Sequence, residues 1–440
     1  MSEPSPWRDP AAAVPPPEHA PLRGDGPGPQ GAPAAPGVQG GAAAYWAQPL
    51  HPAPRKGVRG TPMKVTNIIL LSVLALVALG TLAFFALSIG INVFLICGAL
   101  ALIPLGICVA TLAWIDRWEP EPFTALLLAF CWGAGMSVIT TLVLGSWVQP
   151  FLMGAWATDP DMAGAVVQAP IVEEICKGAG LLLLFFLRRR TFDGPVDGVV
   201  YAGMIAAGFA FTENILYFGQ ALQEAQGAAA GVVAIFVVRG MMSPFAHVMF
   251  TAMLGICVGW AARYGSTRTV YIAWLAGLVP AMLLHGLWNA SSFLGPSFLV
   301  VYVVLQVPLF IVFIVGIIFL RRAEARLTRV RLGDYVRSGW FTPQEVPMLA
   351  TGGGRRRALA WSKSFAAGAV MKEFIRLATR LAFTRQRLLV DAQGGPGGKA
   401  AARFAAGQEK EGQLLAKLVD VRNELLARHA AALPGASAAR

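Results

Sequence analysis

The sequence predicts an all-α polytopic membrane protein of about eight transmembrane helices, with a disordered N-terminal tail and a basic, largely helical C-terminal cytoplasmic region. Three observations predict it. Of 440 residues, 56% are hydrophobic and only 14% charged, and a mean hydropathy of +0.58 exceeds what a soluble domain of this size sustains. Apolar runs of about 20 residues, the length that crosses a bilayer at 1.5 Å per residue, recur through the middle of the chain. The net charge of +12 is concentrated beyond the last of these runs, in the arginine-rich residues 321–440.

The elements follow in chain order. Residues 1–62 are a Pro, Ala and Gly tract with scattered charges and no early apolar core. It does not read as a signal peptide, and it cannot bury enough surface to fold. A membrane domain is expected over 63–322, with spans near 66–88, 91–115, 123–146, 163–187, 196–219, 243–262, 269–293 and 298–320, followed by a cytoplasmic region over 323–440. Arg55, Lys56, Arg59 and Lys64 precede the first span; Arg188, Arg189 and Arg190 follow the fourth; Arg263 and Arg268 follow the sixth, and Arg321 and Arg322 the eighth. All fall on one side if both termini are cytoplasmic in the cell membrane. The loop between the third and fourth spans has Asp159 and Asp161, no Lys or Arg, and interfacial Trp147 and Trp156, as an outer loop should. Residues 228–238 are fully apolar but too short to cross, and Arg239 and Gly240 follow. This is expected to be a re-entrant or interfacial piece, after which Ser243-Pro244 reads as an N-cap and first helical position of a new span. The cysteines (Cys97, Cys108, Cys131, Cys176 and Cys257) all lie in apolar runs and form no CxxC signature, so they read as small buried hydrophobes.

Five residues that lipid should exclude lie in this apolar middle: Glu173, Glu174, Glu213, His247 and His285, spread over four runs. Each costs roughly 2.5 to 3.5 kcal/mol on insertion scales, so a cluster of them marks a functional site by default. Counted from the outer ends of their spans, Glu173 is about ten residues deep, His285 about eight, Glu213 about six and His247 about four, which places them within roughly 10 Å in height. Carboxylates and imidazoles are also the groups from which a hydrolytic zinc centre is made. At 100° per residue, Lys177 projects between Glu173 and Glu174 one turn deeper, where its cation can hold a carboxylate ionised. Pro170 permits a kink beside the pair, and Asn289 lies one turn from His285, placed to orient an imidazole or hold a carbonyl oxygen. Each residue alone has a blander reading. A single membrane histidine is usually a helix–helix hydrogen-bond partner, a Glu–Lys pair is commonly structural, and Asn214 could be interhelical glue. Their joint occurrence outruns those readings. His19, His51 and His429 lie in the tails and take no role.

Several intramembrane chemistries are excluded, since the chain has no HExxH, no GxGD and no GxSG. What remains is a glutamate–histidine centre dispersed over helices. The motifs Glu173-Glu174-Ile175-Cys176-Lys177, FxxxEN from Phe209 to Asn214, SPxxHxxxT from Ser243 through His247 to Thr251, and HxxxN from His285 to Asn289 resemble, in that order, the motif set of the PrsW family of membrane metalloproteases. The DRWEPEP segment at 116–122 resembles a family segment too, although prolines and acids starting a helix are an ordinary turn. The resemblance covers residues 66 to 320, and that family is similar in turn to the CAAX-processing and bacteriocin-immunity membrane proteases.

The resemblance implies a membrane-embedded zinc endopeptidase. Glu213, His247 and His285 would hold Zn2+, while Glu173 acts as the general base, with Glu174 alternating in that role. Lys177, Asn214 and Asn289 would orient these groups from the next layer out. Substrates would be membrane-anchored proteins, such as an anti-sigma factor or a similar regulator. The rival reading is a non-enzymatic transporter or lipid-handling protein with an intramembrane proton or ion relay, which should show inverted repeats that the motif order lacks.

Beyond the membrane domain, Val370, Phe374, Leu377 and Leu381 keep a helical period, as do Leu414, Leu418, Val421 and Leu425 within 408–428. These stripes read as membrane-surface or packing faces, or as a helix for a regulatory partner. The basic charge favours the bilayer's anionic lipid headgroups, at about 1 kcal/mol per Lys or Arg near the surface. No nucleic-acid motif accompanies it, so nucleic acid is not an expected partner.

Overall fold

The computed structural model describes residues 65–155, 159–189, 191–226, 228–264, 266–392 and 398–432. The expectations for the tail 1–62, for Arg55, Lys56, Arg59, Lys64 and Arg190, and for Trp156 lie outside the described residues. All regular elements among those described are helical, and the chain divides into two compact units, one within Thr61–Arg321 and one within Arg322–Arg440.

The first unit begins with α1 (Val65–Ile89) and α2 (Ile91–Ile115), separated only by Gly90 at φ +87°, a conformation that a side chain would strain. α3 (Phe123–Cys131) runs through a π-helical turn at Trp132–Ser137 into α4 (Val138–Ala155). α5 (Pro160–Ala163), capped by Asp159, passes through another π turn at Gly164–Gln168 into α6 (Ala169–Arg188). Then come α7 (Pro195–Glu224), α8 (Ala229–Phe236) with a π turn at Val237–Met242, α9 (Ala246–Tyr264) and α10 (Thr267–Ser292). The short α11 (Phe298–Val301) and a π turn at Tyr302–Gln306 lead into α12 (Val307–Gly333). Among the described residues, seven stretches are long and apolar enough to cross a membrane. The expected span missing from these is the fourth, which corresponds to α6, whose 20 residues reach about 30 Å but carry Glu173, Glu174 and Lys177.

α7 is the centre of this unit. In its apolar window 78% of residues are buried, against 11 to 44% in the other six candidate spans, so it is protein-facing on nearly all sides. Glycine makes that possible at two crossings. A Cβ on Gly198 of α7 would stand 1.9 Å from the Gly255 carbonyl oxygen of α9, and one on Gly255 would stand 2.2 Å from that of Gly198. Two turns further along α7, a Cβ on Gly133 would meet the Ile205 carbonyl oxygen at 1.8 Å. Backbones touch there, which fixes the height of α7 against its neighbours.

The 228–244 region is where expectation and structure differ in detail. Residues 229–242 are helical, and the break falls at Ser243–Phe245. Ser243 does not cap the next helix; its hydroxyl turns back to donate to the Val238 carbonyl (2.7 Å). Tyr302 donates to the Met242 carbonyl (2.7 Å) and the Cys108 thiol to that of Pro244 (2.9 Å). Side chains thus satisfy the carbonyls that the break frees, as a bilayer interior requires. Pro170 lies in the first turn of α6, directly after the π turn at Gly164–Gln168. The 116–122 turn is tied down as well. Both Asp116 oxygens accept the Glu121 N–H (3.2 and 3.0 Å), and the Tyr201 hydroxyl donates to Glu121 Oε2 at 2.6 Å.

The second unit packs the end of α12 with α13 (Glu345–Leu349), α14 (Gly352–Lys363), α15 (Gly368–Ala392) and α16 (Gly398–Ala431). Both periodic stripes are spent on its core: Phe374, Leu377 and Leu381 of α15 are buried with Leu414, Leu418 and Leu425 of α16, and Val421 packs against them. They are packing faces. Arg422 is buried among them, paired to Glu345 at 2.6 Å and to the Trp340 carbonyl at 3.1 Å, as a desolvated guanidinium must be.

Gly198→Ala should lower the Tm of the detergent-solubilised protein by an overpacking cost of about 1–3 kcal/mol. Gly80→Ala, where nothing lies within 4 Å, should not; equal Tm values for the two variants would contradict the crossing described. A second expectation concerns pH. Burial raises the Asp116 carboxyl to about 7, so the folded chain keeps a proton that the unfolded chain loses near pH 4, and stability falls as pH rises between those values. The Tm advantage of Asp116→Asn over wild type should therefore widen from pH 5 to pH 8. A constant difference would show that Asp116 ionises freely.

Candidate active site

Four helices deliver the polar residues to one buried cluster. α6 presents the adjacent Glu173 and Glu174 with Lys177 one helical turn on, and α7 presents Glu213 and Asn214. α9 contributes His247 and Thr251, and α10 contributes His285 and Asn289. Lys177 is at the middle, as its helical angle predicted. Its Nζ lies 3.0 Å from Glu173 Oε2, 2.9 Å from Glu174 Oε1 and 3.3 Å from His247 Nδ1. Phe209, the aromatic of the FxxxEN motif, faces the same ammonium at 4.0 Å from its ring centroid, a cation–π contact strengthened by burial.

The two adjacent glutamates have different surroundings. Glu174 is saturated: Oε1 meets Lys177 and His285 Nδ1 (3.1 Å), and Oε2 accepts from the Thr251 hydroxyl (2.8 Å). Because a carboxylate only accepts, His285 donates from Nδ1, and its Nε2 faces Glu173 Oε2 across 3.8 Å. This is the carboxylate–histidine arrangement that orients imidazole ligands in metal sites. The same logic applied to His247 makes Nδ1 the acceptor of the Lys177 proton and Nε2 the donor to Glu213 Oε2 (2.9 Å). The two imidazoles stand edge to face with centroids 5.0 Å apart, and Phe250 stacks on His285.

One donor atom each from Glu173, His247 and His285 lies within 4.8 Å of the others, and all three residues are buried. A carboxylate with two imidazoles is a donor set that zinc accepts; His247 would offer Nδ1, the nitrogen that accepts from Lys177, so the residues fit the ion once that contact is exchanged for it. Glu213, expected in the ligand set, borders this group through His247. Its Oε2 is shared with a residue that the sequence reading gave no role at the site, Arg239, whose Nη2 donates to it at 2.5 Å. Arg239 Nε also donates to Asn214 Oδ1 (3.0 Å), and its guanidinium lies over the Tyr217 ring at 4.0 Å. The signal for Arg239 was a lone cation ending an apolar stretch; sequence alone did not say that it faced a carboxylate. The Asn289 amide donates to the Ala165 carbonyl in the π turn before α6 (2.8 Å). It ties α10 to that turn.

The family model described as PrsW family intramembrane metalloprotease matches residues 121–313, a range that contains the four motifs from Glu173 to Asn289 and the last two residues of the 116–122 segment. The Protease PrsW of Clostridioides difficile (strain 630) is 31% identical over 192 residues, 43% of this chain and 76% of that protein. That of Geobacillus kaustophilus (strain HTA426) is 27% identical over 174 residues, 40% of this chain and 69% of the relative. No solved structure matches. The matched stretch, the order of the motifs within it and their convergence on one buried cluster lead to one conclusion: the chain belongs to the PrsW family of intramembrane metalloproteases.

Proposed function

We propose that this protein is a zinc-dependent endopeptidase of the cell membrane that hydrolyses peptide bonds in single-span membrane proteins. Membrane-anchored regulators, an anti-sigma factor among them, are the substrate class. The observation that carries the reading is the buried triad Glu173, His247 and His285, with its donor atoms within 4.8 Å of one another. The protease domain is residues 63–322. Both termini face the cytoplasm, where the basic region 323–440 lies against anionic headgroups and not nucleic acid.

His247, His285 and Glu173 would hold the ion, which exchanges the roles that the motifs suggested for Glu173 and Glu213. When bound, zinc supplies a Lewis acid that polarises the scissile carbonyl and acidifies the attacking water. The chain's own residues do the rest. Glu174, fixed by Lys177 and Thr251, keeps His285 oriented. Glu213 is the base: its Oε2 is engaged by His247 and Arg239, while Oε1 is the atom that receives the proton. As the water oxygen bonds to the carbonyl carbon, its proton passes to Glu213; when the C–N bond breaks, that proton goes to the leaving amine.

Zinc content and cleavage of a reconstituted single-span substrate separate these roles. Glu173→Gln, His247→Ala and His285→Ala should lose zinc, whereas Glu213→Gln should keep it and lose about 10²- to 10⁴-fold in cleavage, the usual contribution of a general base. Zinc lost from Glu213→Gln and kept by Glu173→Gln would restore the roles that the motifs suggested. Full zinc in all four variants would sink the metal site. For orientation, a C-terminal alkaline phosphatase fusion should be inactive and a C-terminal fluorescent protein fusion bright; the opposite pair would place that terminus outside.

A further inference from the structure

Arg239 stands at the mouth of the cluster. Glu174 and Lys177 have fully buried side chains, and those of His285 and Glu173 are 2% and 7% exposed. Glu213 and Arg239 rise to 13% and 15%, so the site opens on their side. The guanidinium is one atom removed from the histidine pair, because Glu213 Oε2 bridges Arg239 Nη2 and His247 Nε2. A guanidinium has five N–H donors. Arg239 spends one from Nε on Asn214 and one from Nη2 on Glu213, and its Nη1 donates to no described residue. The π turn at Val237–Met242 and the break after it carry this residue, so a cation reaches the membrane interior from a short separate segment.

We propose that Arg239 is a further catalytic residue of this site, donating from Nη1 to the oxygen of the scissile carbonyl. The proposal rests on the protease reading above. As water adds to the carbonyl carbon, the C=O π pair moves onto that oxygen. The guanidinium then faces a full negative charge where it had faced a dipole, and the pair returns to re-form C=O as the C–N bond breaks. Such donors act on charge that develops only in the transition state, and in a dry site they are worth about 10²- to 10³-fold in kcat. A lysine cannot substitute for this geometry, since one ammonium cannot hold Glu213 and Asn214 and still present a further donor at a fixed angle.

The test uses the full-length protein in proteoliposomes with a synthetic single-span peptide, made with oxygen or with sulfur at the scissile carbonyl. Arg239→Ala and Arg239→Lys should lower kcat by about 10²- to 10³-fold, leave KM within about threefold and retain zinc. The penalty for sulfur over oxygen should shrink at least about tenfold in Arg239→Ala, because partners in direct contact give non-additive effects. Added guanidinium should partly restore Arg239→Ala, which also shows that the variant is folded. An unchanged sulfur penalty would mean that Arg239 acts only by holding Glu213, and wild-type kcat in Arg239→Ala would mean that it does not act; either overturns the proposal. Wild-type protein that fails to cut the oxygen peptide or any other membrane substrate would instead bring down the protease reading, and this proposal with it.

Discussion

Three carboxylates in a membrane interior are tolerable only because two cations stand against them, and the bundle is arranged around that pairing. Lys177 compensates Glu173 and Glu174 from within their own helix, while Arg239 compensates Glu213 from another segment. Each charge would cost several kcal/mol alone in hydrocarbon. As formal charges, three carboxylates and two cations leave one negative charge beside the two imidazoles.

Close backbone contact is what turns those pairings into a defined geometry. α7 meets α9 through Gly198 and Gly255 and meets the turn after α3 through Gly133, so no intervening side chain lets it slide. Indoles fix α6 in the same way. Trp132 and Trp274 donate to the carbonyls of Cys176 and Gly178, at 3.0 and 2.9 Å, on either side of Lys177. The ion pairs and the packing therefore hold the same helices at the same height.

Much of the site was legible in the sequence because polar residues stand out in apolar runs, and because a helix of known period gives their directions. Lys177 between its two glutamates is the clearest case. What was not legible depends on contacts between segments. That Glu213 shares its oxygen with Arg239, and that Glu173 lies with the two histidines, follows from how α7 and the 229–242 segment cross. No periodicity encodes such a crossing. Asn289 escaped for another reason: the π turn before α6 places the Ala165 carbonyl within its reach, and one extra residue per turn is invisible to a pattern built on 3.6. Ser243 looked like a cap because Ser-Pro usually is one, yet the carbonyls of a broken membrane helix claim its hydroxyl first. The second unit was legible as helices, but which faces paired was not.

Among the eight expected spans, the helix that carries Glu173, Glu174 and Lys177 is the one that does not reach the apolarity of a membrane crossing on its own. Three charges at roughly 3 kcal/mol each work against its entry into lipid as a single segment. In the bundle the charges left over by Lys177 are met from α9 and α10, where His247, Thr251 and His285 bond to them. Because α10 is the last of these helices in chain order, the cluster is complete only in a chain that extends through His285.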